Sequence, residues 1–263
     1  MVLYINGKKI KDTGAHGLYY NGKAINAAYY NGKKVYQYLP TGKTFNPSGN
    51  FQTYVVPKGV TKLQVNCVAA KGNGSGYGGR VQCVLSVTPG QTLYLAVGSA
   101  NTSAGTPTYN ASDIRTNNAG ITNTTSLRSR LVVAGGGGNT GNQTGSGGHG
   151  GGLTGAAGSN VDGKSGQGGT QTGGGSGGGS GLGGQGGGVG SFGLGGTGGH
   201  GVAGCGGAGW YGGGGGGTSA WGSTLGGNGG GGSSYTNSSL CTSVVHTQGY
   251  RNGNGYITLT PIK

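Results

Sequence analysis

Tyr211-Gly212-Gly213-Gly214-Gly215-Gly216-Gly217-Thr218 is the densest part of a longer stretch, residues 135–232, in which 53 of 98 positions are glycine. Ordinary proteins carry about 7% glycine, so this stretch needs a physical account of its own. Similar runs stand at Gly173–Gly175, Gly177–Gly179 and Gly186–Gly188. Asp162 and Lys164 are the only charged residues between Leu131 and Tyr250.

Two accounts compete. Glycine- and serine-rich sequence ordinarily behaves as a flexible linker. Ordering one residue costs roughly 1–2 kcal/mol of backbone entropy, and glycine loses the most. The alternative is a bundle of extended helices with three residues per turn, the polyglycine relative of polyproline II. Such a helix makes no internal hydrogen bonds, so its N–H and C=O groups point outward to neighbouring helices. Glycine at the contacts lets backbones approach closely, as at the axis of collagen. Collagen's strict period is absent here, and residues 135–232 contain no proline. The expectation carried forward is an ordered lattice held by backbone hydrogen bonds rather than by a side-chain core.

The rest of the composition agrees with a small apolar core. Of the 263 residues 31% are hydrophobic and 8% charged, and the formal net charge is +14. Ten of the seventeen basic residues precede residue 72. A basic front end suits nucleic acid, anionic glycans or an acidic partner, but lysine also protects strand edges and turns. Met1–Ile10 lacks the apolar core of a secretory signal, and no run approaches the ~18 apolar residues of a membrane span. No membrane insertion is expected. Cys67, Cys83, Cys205 and Cys241 are widely spaced, which leaves both disulfides and isolated thiols open.

Residues 3–38 hold an internal repeat: Tyr4-Ile5-Asn6-Gly7-Lys8, Tyr19-Tyr20-Asn21-Gly22-Lys23 and Tyr29-Tyr30-Asn31-Gly32-Lys33. Asn-Gly between apolar flanks signals a two-residue hairpin, because a type I′ turn needs positive φ at both positions. Strands are expected at Phe51–Val56, Leu63–Ala69, Arg80–Val87, Leu93–Val97, Leu127–Ala134, Leu240–Val245 and Gly255–Ile262. Residues 99–126, rich in Asn, Thr and Ser, read as an irregular loop. The fold class is therefore all-β with essentially no α-helix: N-terminal hairpin repeats (1–40), a β-sandwich-like scaffold (41–134), the glycine bundle (135–239) and closing strands (240–263).

Several motifs imitate chemistry. Gly158-Ser159-Asn160-Val161-Asp162-Gly163-Lys164-Ser165 matches a phosphate-binding loop but lacks the preceding strand and following helix. Gly74-Ser75-Gly76-Tyr77-Gly78-Gly79 is followed by a strand rather than a helix. Gly174-Gly175-Ser176-Gly177-Gly178 has no strand-turn-helix context for a nucleophile elbow. Asp12, Asp113 and Asp162 are the only side-chain carboxylates, and His16, His149, His200 and His246 show no metal-ligand spacing with the cysteines. No enzymatic activity, cofactor or metal is expected. Asn110-Ala111-Ser112 and Asn123-Thr124-Thr125 match glycan acceptors, which Asn- and Thr-rich loops also produce without a function.

What remains is aromatic. Phe192, Trp210, Tyr211, Trp221 and Tyr235 are the large side chains of the glycine region. A lattice without internal room must place them at its surface, its ends or its turns. There they either bind a partner, stacking on sugars or supplying rigid contact area, or cap the lattice against the scaffold. With His200 they are the candidate binding residues.

At this point the chain resembles phage glycine-rich tail proteins. The resemblance rests on Phe45 with Tyr54-Val55-Val56-Pro57-Lys58-Gly59-Val60, on Gly78-Gly79-Arg80 with Val87-Thr88-Pro89-Gly90-Gln91, on Leu131-Val132-Val133-Ala134 leading into Gly135–Gly138, and on the closing Gly255-Tyr256-Ile257-Thr258-Leu259. It covers about residues 41–263. The front repeat is similar to short N-terminal modules of tail-tip proteins. The resemblance implies a virion protein at the tail tip, made in the host cytoplasm and working outside the cell. It implies that loops between polyglycine II helices meet a host glycan or protein receptor. Residues 1–40 would join other tail or baseplate proteins, with Tyr4, Tyr19, Tyr20, Tyr29, Tyr30 and Tyr36 as attachment residues and a homotrimer as one oligomer to consider. A purely structural virion part is the runner-up. Nucleic-acid binding by the basic front ranks last, because no nucleic-acid-binding motif accompanies the lysines.

Overall fold

A computed structural model of the chain describes residues 32–100, 105–142, 145–159, 164–219 and 225–263, with short paired strands before them. Those early strands are β1 (Tyr4–Ile5), β2 (Lys8–Lys9), β3 (Leu18–Tyr20), β4 (Lys23–Ile25), β5 (Ala27–Tyr30) and β6 (Lys33–Gln37). They pair antiparallel as β1–β2, β3–β4 and β5–β6, each pair bracketing one Asn-Gly. Gly32 has φ 71°, the left-handed conformation that selects glycine in a hairpin turn.

From residue 41 two five-stranded antiparallel sheets face each other. The first orders β15 (Cys241–Arg251), β10 (Gly78–Ser86), β9 (Lys62–Val68), β16 (Tyr256–Ile262) and β7 (Lys43–Phe45). The second orders β14 (Tyr235–Thr236), β13 (Arg130–Ala134), β12 (Ser112–Arg115), β11 (Thr92–Ala96) and β8 (Gln52–Val55). The protein is nearly all β.

Period-two patterning builds the first sheet. Leu63, Val65 and Cys67 of β9 point inward, and register places Val81 and Ile257 beside Cys67 and Cys83 and Leu259 beside Val65. These rows pack against Leu93, Leu95, Ile114 and Val132 of the other sheet to form one buried core. Rows of this kind, across strands and then across sheets, are how a sandwich removes apolar area from water.

Two expectations are corrected. Residues 99–126 are not simply irregular, because β12 lies among them and is buried along its whole length. Its polar look has a cause: the Asp113 and Arg115 side chains form a fully buried ion pair on the face opposite Ile114. Arg115 also donates to the Ile121 carbonyl and to Ser126 Oγ, and Tyr109 donates its hydroxyl to Asp113. The ion pair holds the arginine's pKa above its ordinary value against the opposing effect of burial. Leu127–Ala134 is not one strand either. A short helix α1, Thr124–Arg128, precedes β13, and Asn123 caps it by accepting from Thr125 and Ser126 N–H.

Between β13 and β14 the glycine stretch runs back and forth as extended segments. In the central segment, the N–H groups of Gly212 and Gly215 donate to Ser191 and Gly188, those of Gly213 and Gly216 to Gly207 and Gly204, and those of Gly214 and Gly217 to Gln167 and Lys164. Its carbonyls accept, in the same pairs, from Gly175 and Gly178, from Gly196 and Gly199, and from Gly230 and Gly227. All of these bonds measure 2.8–2.9 Å. Every third residue addresses the same neighbour, so this segment is bonded on all sides to six others. No side chain fits inside: a Cβ built on Gly214 would overlap the Ser176 carbonyl oxygen. The segment ending at Gly232 repeats the pattern, with Gly229 and Gly232 donating to Asn139 and Gly136.

Side chains replace missing backbone partners where sandwich and lattice meet. Asn110, 1% exposed, accepts from the Ala208 N–H and donates to the Gly137 carbonyl. Its burial also excludes it as a glycan acceptor in the folded protein. All four cysteines are buried free thiols.

Candidate functional site

The lattice has two ends. Segments finish at residues 142, 159, 181, 199 and 218 at the end far from β13 and β14, as the bonds from Asn142 N–H to Val202 and from Gly181 N–H to Thr218 show. At the scaffold end the chain reverses near residues 152, 171, 192 and 209 and leaves through Ser233 and Ser234.

Four of the six candidate residues meet at the scaffold end. Trp210 stacks on Tyr235 at 3.8 Å with 11° between planes, and Phe192 meets Trp210 and Tyr211 edge-on at 4.8 and 5.3 Å. Edge-to-face contacts suit the aromatic quadrupole. Beneath them lies Arg130, 2% exposed, with its guanidinium 4.7 Å from the Phe192 centroid and 4.9 Å from that of Trp210. Arg130 donates to the carbonyls of Leu127, Gly209 and Trp210, so one planar fork terminates α1 and two lattice carbonyls together. The Trp210 indole N–H donates to Gln171 O, and the Gln171 amide donates to the carbonyls of Leu153 and Ser234. Lattice ends leave backbone groups without a neighbour, and unpaired buried carbonyls are costly; these side chains supply the partners.

His200 lies at the opposite end. It is exposed, holds φ 45°, and its backbone N–H donates to Gln185 Oε1 at 2.6 Å. Leu182, 98% exposed, occupies a turn at the same end. Trp221 lies outside the described residues. The attachment tyrosines fall in β1 (Tyr4), β3 (Tyr19, Tyr20), β5 (Tyr29, Tyr30) and β6 (Tyr36). Of their described side chains, Tyr29 is 63% exposed and Tyr36 half-buried.

An open cavity of about 670 Å³ adjoins the aromatic cluster, within the size range of small-ligand sites. Phe192, Tyr211 and Leu194 form its lattice wall; Leu127 and Arg128 of α1, with Thr122 and Thr124, form the other. Close packing sets the gap between the walls, since a Cβ built on Gly193, where φ is 94°, would press on the Leu127 methyls at 2.7 Å. The sequence reading missed Arg128, Arg130 and α1. The signal was there in part: these two arginines are the last basic residues before Lys164 in an almost uncharged stretch.

Other clusters offer less chemistry. The Asp113–Arg115–Tyr109 group is buried, and its charges are consumed by one another. Among the described residues no three His, Cys, Asp or Glu side chains gather as a metal site, and no helix is long and apolar enough to cross a membrane. No family model and no curated protein matches the chain. Fold and site therefore define it only by class: an all-β protein in which a sandwich carries a hydrogen-bonded glycine lattice, with an aromatic-walled cavity at their junction.

Proposed function

We propose that the protein is a receptor-binding component of a phage tail tip, in which a polyglycine II lattice displays turns and aromatic side chains to a glycan or protein on the host surface. The observation that carries this reading is the lattice itself. Its interior backbone bonding excludes side chains, so the groups able to recognise a partner are pushed to its surface and its run ends, where a stiff support holds them. Stiff presentation lowers the ordering cost of binding. Residues 1–40 attach the protein to neighbouring tail proteins, with a homotrimer as the assembly to look for.

The test is adsorption. Purified protein incubated with the host cells is expected to bind them and to compete with the virus; the absence of both would sink the proposal. The packing of Phe192 and Trp210 over Arg130, with Tyr235 stacked on Trp210, favours a second reading, a structural cap that binds nothing. Replacing Tyr211 and Trp221 separates the two, since unchanged adsorption by an intact virion favours the cap.

A further inference from the structure

The cavity beside the aromatic cluster has a lopsided chemistry. Arg128, at the exposed end of α1, has no hydrogen-bond or ion-pair partner among the described residues, and the same holds for the hydroxyls of Tyr211, Thr122 and Thr124. Among the described residues, the lining contains no carboxylate and no carboxamide. Asp113, the one described aspartate, is locked to Arg115 in the sandwich. A neutral sugar presents as many donors as acceptors, and a wall without strong acceptors recognises it poorly. Arg128 can only donate, through a planar fork that matches a carboxylate in bidentate geometry. The rings of Phe192 and Tyr211, with Leu194, offer the apolar surface against which the C–H face of a pyranose packs. Arg130 is not available to such a ligand, because it is 2% exposed and each of its three nitrogens already donates to a carbonyl.

We infer that this cavity binds a saccharide residue bearing a carboxylate, with Arg128 pairing the carboxylate, Tyr211 and the threonine hydroxyls meeting ring oxygens, and Phe192 and Tyr211 supporting the ring. The inference rests on the adhesin reading for its biological setting and names the ligand class of one surface within it. The site lies at the scaffold end of the lattice, so it engages a glycan chain that extends alongside the protein rather than one met only at the far turns.

Titration calorimetry of the full chain tests this, with a trimer of galacturonic acid set against its carboxyl-reduced, neutral counterpart. The acidic trimer is expected to bind at least about tenfold tighter, the range of a charge-assisted hydrogen-bond pair. Arg128→Gln should erase that preference while leaving the melting temperature unchanged, since the side chain is exposed and unpartnered. Tyr211→Phe, which keeps the ring, should weaken binding about threefold. Equal affinity for the two trimers, or an acid preference that survives Arg128→Gln, overturns the inference. Cell adsorption keeps the two proposals apart. Arg128-dependent binding of the acidic trimer by a protein that fails to adsorb to host cells supports the cavity and refutes the adhesin. Adsorption by a protein that shows no acid preference does the reverse.

Discussion

Replacing Gly214 by alanine is the sharpest perturbation of the lattice, because the side chain added is a single methyl group. Gly214 donates to Gln167 O and accepts from Gly230 N–H, both at 2.8 Å. Its added Cβ would overlap the Ser176 carbonyl oxygen, and backbone carbonyls cannot swing aside as a flexible side chain can. Relief requires the segment carrying Ser176 to separate from the central one by about the radius of a methyl group, which breaks the two bonds that join them, from Gly175 and Gly178 N–H to Gly212 and Gly215 O. Each buried group left unpaired costs about 1–3 kcal/mol, so the substitution should cost about 3–6 kcal/mol, a large fraction of a typical total stability of about 5–15 kcal/mol. At roughly 2–4 °C per kcal/mol for a chain of this size, the melting temperature should fall by about 6–24 °C. Gly173 is the matched control. It lies in the same lattice, but nothing stands within 4 Å of a Cβ built there. Gly173→Ala should change stability by less than about 1 kcal/mol, and it reduces the entropy of the unfolded chain. Thermal melts followed by circular dichroism compare the two. Equal melting temperatures would refute the close-packed, fully bonded lattice.

Three further outcomes are expected. Arg130→Met keeps much of the side-chain volume but removes three charge-assisted hydrogen bonds, the one to Gly209 O included, while Trp210 O keeps its bond from Gly193 N–H, so denaturant titration should show a loss of about 3–5 kcal/mol; Arg130→Lys should recover less than half of it, because an ammonium cannot reproduce the fork. Burial lowers the pKa of His246 below its usual value, so the unfolded chain takes up the proton first. The contribution of this residue to stability is full above pH 6.5 and declines as pH falls through the lowered folded value. His246→Phe should flatten the stability–pH slope between pH 7 and 5, and an unchanged slope refutes the assignment. Finally, the four buried thiols should resist an aromatic disulfide reagent in the native protein and react fully in guanidinium. Burial and nearby Asp113 push the Cys67 thiol well above its ordinary pKa, which suppresses the reactive thiolate.

Parts of this architecture were legible residue by residue. Leu63-Gln64-Val65-Asn66-Cys67-Val68 announces a half-buried strand because alternate side chains of a pleated strand face opposite sides. The Asn-Gly pairs announce hairpins because few other dipeptides tolerate positive φ twice. The glycine runs announce that something other than a side-chain core must hold residues 135–232, since they offer almost no apolar area to bury. These are local signals, and local chemistry decides them.

The candidate site was only half legible. Phe192, Trp210, Tyr211 and Tyr235 stand out as the large side chains in a field of glycine, yet spacing says nothing of which lattice end each reaches. That depends on how many three-residue repeats separate successive reversals, and the tertiary structure sends His200 to one end and Phe192 to the other. β12 hid for a related reason. Ser112-Asp113-Ile114-Arg115 reads as polar loop because its outer face is buried by an ion pair, which no pattern of apolar residues records. Arg128 and Arg130 differ by two positions in sequence and wholly in circumstance: the fold seals one under carbonyls and rings and leaves the other open at the mouth of a cavity. By itself the sequence determined that backbone had to do the work of a core. Only the folded chain decided which side chains the lattice would need for its own ends and which would remain free to bind, because that division depends on which carbonyls are left unpaired where the segments turn.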